Sequence, residues 1–350
     1  MLRRTAFFWI ASIPIQGILI ALYKHAPEQL SALYSNYIFL GLLRLKSPVF
    51  NSLPFSFGDV AYGSTIVFLC YQLVRSTKYW RQLRWSQLWS VLGVLAAVHF
   101  FFLISWGFNY HNPPLSKQNK VSLHYTPEDL KTTLATLIEH SNKLHQQLAP
   151  TDTTVVQFPF TKKEIRSQFM QRYPQTAGIK NSLWSTGLSY MGYEGYLNPF
   201  TGEAQVNAKM PLPSYITTVA HEQAHQLGYA REQEANYLAF VHCIEQKNPY
   251  IQYAGYIFGL HYCYNALYQY NDEEARTLRA KIRPGILKEY RQSQEFWEGY
   301  ENPLEPLFKS SYDSYLKAQG QAAGIRSYNL VVAFIVDHLQ KKLMTPNNAN

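Results

Sequence analysis

At 350 residues the chain can hold one sizeable domain plus an accessory part, and 47% hydrophobic residues can supply a core. Its net charge of +9 suggests nucleic acid, but the distribution argues otherwise. Residues 1–111 carry nine basic and two acidic residues, while the other 23 basic residues face 21 acidic ones, so the C-terminal part has no electrostatic footprint for phosphate.

Residues 6–23 are uncharged and about long enough to cross a bilayer; Pro14 and Gln16 are both tolerated in membrane helices. Arg3 and Arg4 would also suit a signal peptide, but no small-residue cleavage site follows, so the run reads as an anchor. Residues 24–56, bracketed by Pro27, Pro48 and Pro54, read as a loop with room for a short interfacial helix near Tyr37–Leu43. Further apolar runs cover about 57–74 and 86–107. Between them lie Arg75, Lys78, Arg81 and Arg84, flanked by Trp80 and Trp85, which marks a cytoplasmic turn. The expected topology is therefore a three-helix anchor (1–111) with a cytoplasmic N-terminus, and an extracytoplasmic domain (112–350).

Residues 108–125, polar and containing Pro113-Pro114, read as the linker out of the membrane. Thr126-Pro127-Glu128-Asp129 opens an amphipathic helix with Leu130, Leu134, Leu137, Leu144 and Leu148 on one face. Thr161-Lys162-Lys163-Glu164 is a capping box for a second helix, to about Arg172. Between Ser182 and Asn207 helical periodicity is lost, and short strands are expected at Gly195-Tyr196-Leu197 and Glu203-Ala204-Gln205-Val206-Asn207. The remainder reads as helices, at about 251–270, 272–281, 284–297, 304–317 and 325–342. Cys70 lies in the second apolar run; Cys243 and Cys263 could form a disulfide or remain two buried thiols.

The chemistry concentrates in Val219-Ala220-His221-Glu222-Gln223-Ala224-His225-Gln226-Leu227-Gly228. On a helix the H-E-x-x-H spacing puts both imidazoles on one face, able to bind one Zn²⁺ while Glu222 reaches an activated water. Uncharged flanks argue against a solvated helix face, and Gly228 is a natural C-terminal stop. A catalytic zinc needs a third protein ligand. The position where a third His would complete one known extension holds Arg231, whose guanidinium cannot ligate. The other source is a carboxylate on the next helix. Glu232 has Asn236 one turn behind it, able to hold a ligand His by its second nitrogen, whereas Glu234 projects about 200° around the axis from Glu232. Glu232 is the expected ligand and Glu234 the alternative. An oxyanion donor is also needed, and Tyr253, Tyr256 and His261 are candidates that read more simply as core residues.

The run HEQAHQLGYAREQEANYLAF, the preceding NPFTGEAQVN, the three apolar segments and the late YLKAQGQAAGIRSY together resemble an uncharacterised bacterial membrane-protein family, a domain of unknown function. In its motif that family is similar to the zincin metallopeptidases. The resemblance implies zinc, hydrolysis and the inner membrane, but no particular substrate. It implies a helix-rich zincin-like domain with a small antiparallel sheet, in which Glu203–Asn207 would be an edge strand aligning an extended peptide. The expectation is a membrane-anchored zinc peptidase acting on a peptide or protein, with Glu222 as general base. The alternative is an inactive binding or sensing module on the same fold.

Overall fold

The computed structural model describes residues 2–78, 85–319, 321 and 328–344. Its first apolar run is a helix broken once: α1 (Leu2–Ala11) and α2 (Ile13–His25) meet at Ser12, whose hydroxyl donates to Trp9 O at 2.6 Å. After them come α3 (Pro27–Leu33), a π-helical turn (Tyr34–Phe39) and α4 (Leu40–Asn51), then α5 (Phe57–Lys78) and α6 (Trp85–Ser105). Three helices are long and apolar enough to cross a membrane, at Arg4–His25, Phe57–Arg75 and Gln87–Ser105. These bounds match the expected spans to within a few residues. Trp80, Arg81 and Arg84 of the expected cytoplasmic turn lie outside the described residues. α1 runs against α6 so closely that a Cβ on Gly93 would sit 2.6 Å from the Ala6 Cα, so this crossing requires glycine.

Residues 24–56 are helical over most of their length, which corrects the loop reading. Phe39, Leu43 and Ser47 recur every fourth residue and are buried; the flanking prolines masked that stripe. Tyr34, Phe39 and Leu43 pack with Trp106, Tyr110, Ala230 and Leu316. This stretch is therefore part of the wall behind the site.

Beyond a 3-10 turn (Gly107–His111) the order is α7 (Leu115–Gln118), α8 (Pro127–Leu148), α9 (Lys162–Arg172), β1 (Ile179–Asn181), α10 (Ser185–Met191), β2 (Gly195–Leu197), β3 (Ala204–Val206) and α11 (Leu212–Gln226). Then come α12 (Glu232–Ile244), α13 (Pro249–Tyr270), α14 (Asp272–Arg279), α15 (Pro284–Glu298), α16 (Glu305–Ala318) and α17 (Tyr328–Met344). The expected capping box at Thr161/Glu164 is present, and the expected Thr126 cap also closes a capping box, with Asp129. Leu130, Leu134, Leu137 and Leu144 of α8 are buried against Tyr253, Ile257, Leu260 and Leu267 of α13 and the valines of α17. Each such side chain contributes about 1.5–3 kcal/mol by leaving water. That bundle supports the helices that carry the site. Cys243 and Cys263 are buried, unbonded thiols.

The sheet differs from expectation in two ways. Its order is β1-β3-β2, with β1 parallel and β2 antiparallel to β3, so it is mixed rather than antiparallel. β3 is consequently the central strand and not an edge. Glu203, Ala204, Gln205, Val206 and Asn207 are all fully buried, so a substrate cannot pair with them. Glu203 instead accepts from the Phe57 and Gly58 amides at 3.2 and 2.7 Å, placing its charge at the N-terminus of α5. Asn207 Nδ2 donates to Ser189 Oγ at 2.9 Å. The free edge facing the site belongs to β2.

Candidate metal centre

α11 reaches the site as the spacing predicts. Val219, Ala220 and Ala224 face the core without exposure, which leaves His221, Glu222 and His225 toward the cleft. Gly228, at φ +95, turns the chain out of the helix, with the Tyr229 amide closing back on Ala224 O at 3.2 Å. Only three residues then separate this turn from α12.

The turn brings Glu232 back over the histidines. His221 Nε2 lies 3.4 Å from Glu232 Oε2, and His225 Nε2 lies 3.7 Å from Glu232 Oε1. One ligand atom from each of the three residues falls within 4.8 Å of the others. Donors about 2.1 Å from a shared tetrahedral ion stand about 3.4 Å apart, a separation close to the two His–Glu distances here. Each histidine is oriented through its other nitrogen: Nδ1 of His221 meets Asn236 Oδ1 at 2.9 Å, and Nδ1 of His225 meets Tyr229 O at 2.7 Å. Those acceptors favour a proton on Nδ1, so that each imidazole, when neutral, presents its Nε2 lone pair to the cleft.

Glu234, the alternative ligand, points elsewhere. It is buried, accepts from the Leu115 amide at 2.8 Å and lies 3.5 Å from Arg231. The two glutamates face different sides of α12, as the helical angle requires.

Glu222 is 4% exposed, and its Oε2 has no partner within the protein. Leaving such an atom unsatisfied costs about 1–3 kcal/mol, a cost expected where the group serves a ligand. Burial pushes the Glu222 carboxyl up to about 8, against the opposing charge of His221. Burial also opposes charge on His221, but the adjacent Glu232 carboxylate, with Glu222 and Glu194 behind, raises it to about 9. For His225 burial wins, aided by the His221 charge, and the value falls to about 4. Burial alone would raise Glu232, yet its contacts to both histidines and Tyr312 hold it at about 2. The result is an ionised Glu232 beside Glu222, a carboxyl able to carry a proton near neutral pH.

Several contributors carry no signal in sequence. Tyr312 of α16 donates to Glu232 Oε1 at 2.6 Å from 80 residues away. Trp106, just past α6, sets its ring edge-on to His225 at 6.2 Å and donates to His225 O at 3.3 Å. Gly195 of β2 comes so near the base that a Cβ would lie 2.8 Å from Glu222 Oε1. By contrast, Tyr253 and Tyr256 belong to the core, the latter stacked on His140 at 4.8 Å. His261 lies on the wall of the cleft, next to Tyr290. The cleft has a volume of about 1650 Å³ and contains the donor cluster, Glu222, β2 and Tyr312.

Fold and site together define a helix-rich protein with three candidate membrane-spanning helices and a His–His–Glu donor cluster in a deep cleft. The chain belongs to the family described as Protein of unknown function (DUF3810), whose model matches residues 34–336. No curated protein and no solved structure matches the chain.

Proposed function

We propose that this protein is a zinc-dependent peptidase, held in the inner membrane by three helices, with its catalytic domain on the extracytoplasmic face. The observation that carries the reading is the convergence of His221 Nε2, His225 Nε2 and Glu232 beside an unpartnered Glu222 carboxylate. When bound there, zinc would make a water more acidic and polarise the carbonyl of a peptide. Asn236 and Tyr229 O hold the two imidazoles, and Tyr312 holds Glu232, so the donors are arranged before any substrate arrives.

Glu222 supplies the proton chemistry. Its carboxylate takes a proton from the attacking water as the new C–O bond forms, and returns it to the amine as the C–N bond breaks. Its raised proton affinity suits a group that must both accept and release near neutral pH. The β2 edge runs past this carboxylate at Gly195 and can pair with an extended peptide, a task the sequence suggested for β3. The orientation rests on the basic residues between the second and third spans.

Glu222→Gln tests the proposal. The variant is expected to keep its metal while hydrolysis of a broad peptide mixture falls by about 10²- to 10⁴-fold. Wild-type protein that binds zinc but cleaves nothing would favour the inactive binding or sensing module instead.

A further inference from the structure

The cleft that holds the donor cluster is not walled by the soluble part alone. Tyr62 and Ile66 of α5, and Phe102 and Trp106 at the end of α6, line the same cavity as His221, Glu222, His225 and Glu232. The first end of α5 is clamped to the sheet. Asp59 is fully buried and accepts from the Leu183 amide at 2.7 Å, while Tyr196 of β2 also donates to it. Tyr62 stacks on Tyr196 at 5.9 Å, and the Trp184 ring closes over Gly63.

Beyond this clamp α5 stands apart. Ile66, Val67, Phe68 and Leu69 are 58%, 70%, 58% and 58% exposed. Four consecutive residues at about 100° each sweep essentially the whole helix circumference, so no face of α5 packs on the protein at this level. α6 does not share this isolation, because α1 covers it through Gly93. Ile66 thus belongs both to the cavity that holds the donor cluster and to the stretch of α5 that is exposed all round.

The cleft also has a direction. At the start of α11, Ser214 meets Ser293 of α15 at 3.3 Å, and Gln294 and Glu298 of the same helix also line the cavity, with Glu301 just past it. At the end of α11, His225 packs on Trp106, and Phe102 and Ile66 line the same cavity. From Ser214 to His225 is about 16 Å along the helix, the length of about five residues of extended chain. Six glutamates line the cavity (Glu194, Glu222, Glu232, Glu289, Glu298 and Glu301) and neither lysine nor arginine does so among the described residues. No ammonium or guanidinium there would pair with an acidic side chain, whereas the exposed Glu298 and Glu301 favour neutral and basic ones.

Taking the peptidase reading as given, we infer that the substrate is a membrane-anchored polypeptide. It enters between α5 and α6 and is cut within a few residues of its apolar segment. The juxtaposition that carries this is the single cavity joining the donor cluster to the isolated face of α5 at Ile66. The apolar segment stays beside Ile66 and Phe102, and the neighbouring neutral or basic stretch lies along β2 toward Glu298.

The test uses the full chain, zinc-loaded, in phosphatidylcholine vesicles. The probes are peptides with a 20-residue Leu/Ala helix followed by a randomised 12-residue tail, and the same tails without the helix. Mass spectrometry should find cuts concentrated within about five residues of the helix boundary, the anchored form reacting at least tenfold faster. Cuts spread evenly along the tail, or equal rates for free tails, would overturn the inference. A photocrosslinker placed at Ile66 in the Glu222→Gln protein provides a readout that needs no turnover. It should capture the anchored peptide and not the free tail, and acidic tails should reduce capture. Equal capture of both, or of neither, would refute the docking mode. Capture without cleavage by the wild type would sustain the docking mode and sink the peptidase reading. Displacement of the anchored peptide by phosphatidylglycerol would assign the opening to an anionic lipid and contradict the polypeptide assignment.

Discussion

Between α8 and α15, His145 has both ring nitrogens engaged by the protein: Nε2 lies 2.9 Å from Thr154 O, and Nδ1 accepts from Arg283 Nε at 3.0 Å. It also fills the space over Gly285, where a Cβ would sit 2.2 Å from Nε2. At α11 the situation is different. His221 and His225 each spend one nitrogen on a protein acceptor and turn the other toward Glu232, at distances wider than a good hydrogen bond. A buried histidine with both nitrogens satisfied is a structural part. Two histidines whose second nitrogens converge on a carboxylate, beside a Glu222 oxygen without a partner, form the set that the proposed zinc would use.

The sharpest way to break this contrast is the pair of glutamates on α12. Glu232→Gln is expected to weaken zinc binding by more than about 100-fold, beyond the effect of losing an orienting partner. Glu234→Gln should weaken it far less, because its contacts run to Leu115 and Arg231. A metal-affinity titration with the reverse order would move the ligand to Glu234. A smaller effect is expected at Asn236, which only orients His221. Asn236→Ala should cost about 10- to 100-fold in affinity, and Asn236→Asp should restore the acceptor. No change in Asn236→Ala would mean that this hydrogen bond does not position the ligand.

The smallest effect concerns the structural cluster. One turn along α15 from Gly285, Glu289 is 7% exposed, and burial pushes its carboxyl up to about 7, although the Val156 amide and Tyr253 favour its charge. The folded state then holds a proton that the unfolded chain has released above about pH 4.5. Stability contributed by the neutral form is complete below that pH and is lost as pH rises toward 7. The loss is on the order of 1–3 kcal/mol. Glu289→Gln should abolish this slope in denaturation followed from pH 4.5 to 7, and an unchanged slope would assign the titration to another group. Metal content should not differ.

How much of this was readable in the chain depends on range. The motif helix, its glycine stop, the Thr126 cap, the Thr161 capping box and the three apolar spans are all written in residues a few positions apart. Glu232 was reachable too, since two helices joined by a three-residue turn leave few orientations. The sheet order was not legible. Strands of three residues carry little periodicity, and β3 is central only because Ile179 pairs with Ala204 across 25 positions. Tyr312 and Trp106 are illegible for the same reason: a tyrosine in a polar helix, or a tryptophan at the end of an apolar run, carries no local sign of the distant residue it meets. The prolines around α4 misled by suggesting breaks where the buried stripe of Phe39, Leu43 and Ser47 continues.

The most direct measurement is the metal content of the full-length protein, purified in detergent and analysed by inductively coupled plasma mass spectrometry. Wild-type protein should carry about one zinc per chain, the number a single three-ligand site holds. His221→Ala should lose it, while His145→Ala, with its histidine in the closed cluster, should retain it. Wild-type protein that holds no zinc and takes up none on titration would contradict the assignment of a metal centre at His221, His225 and Glu232.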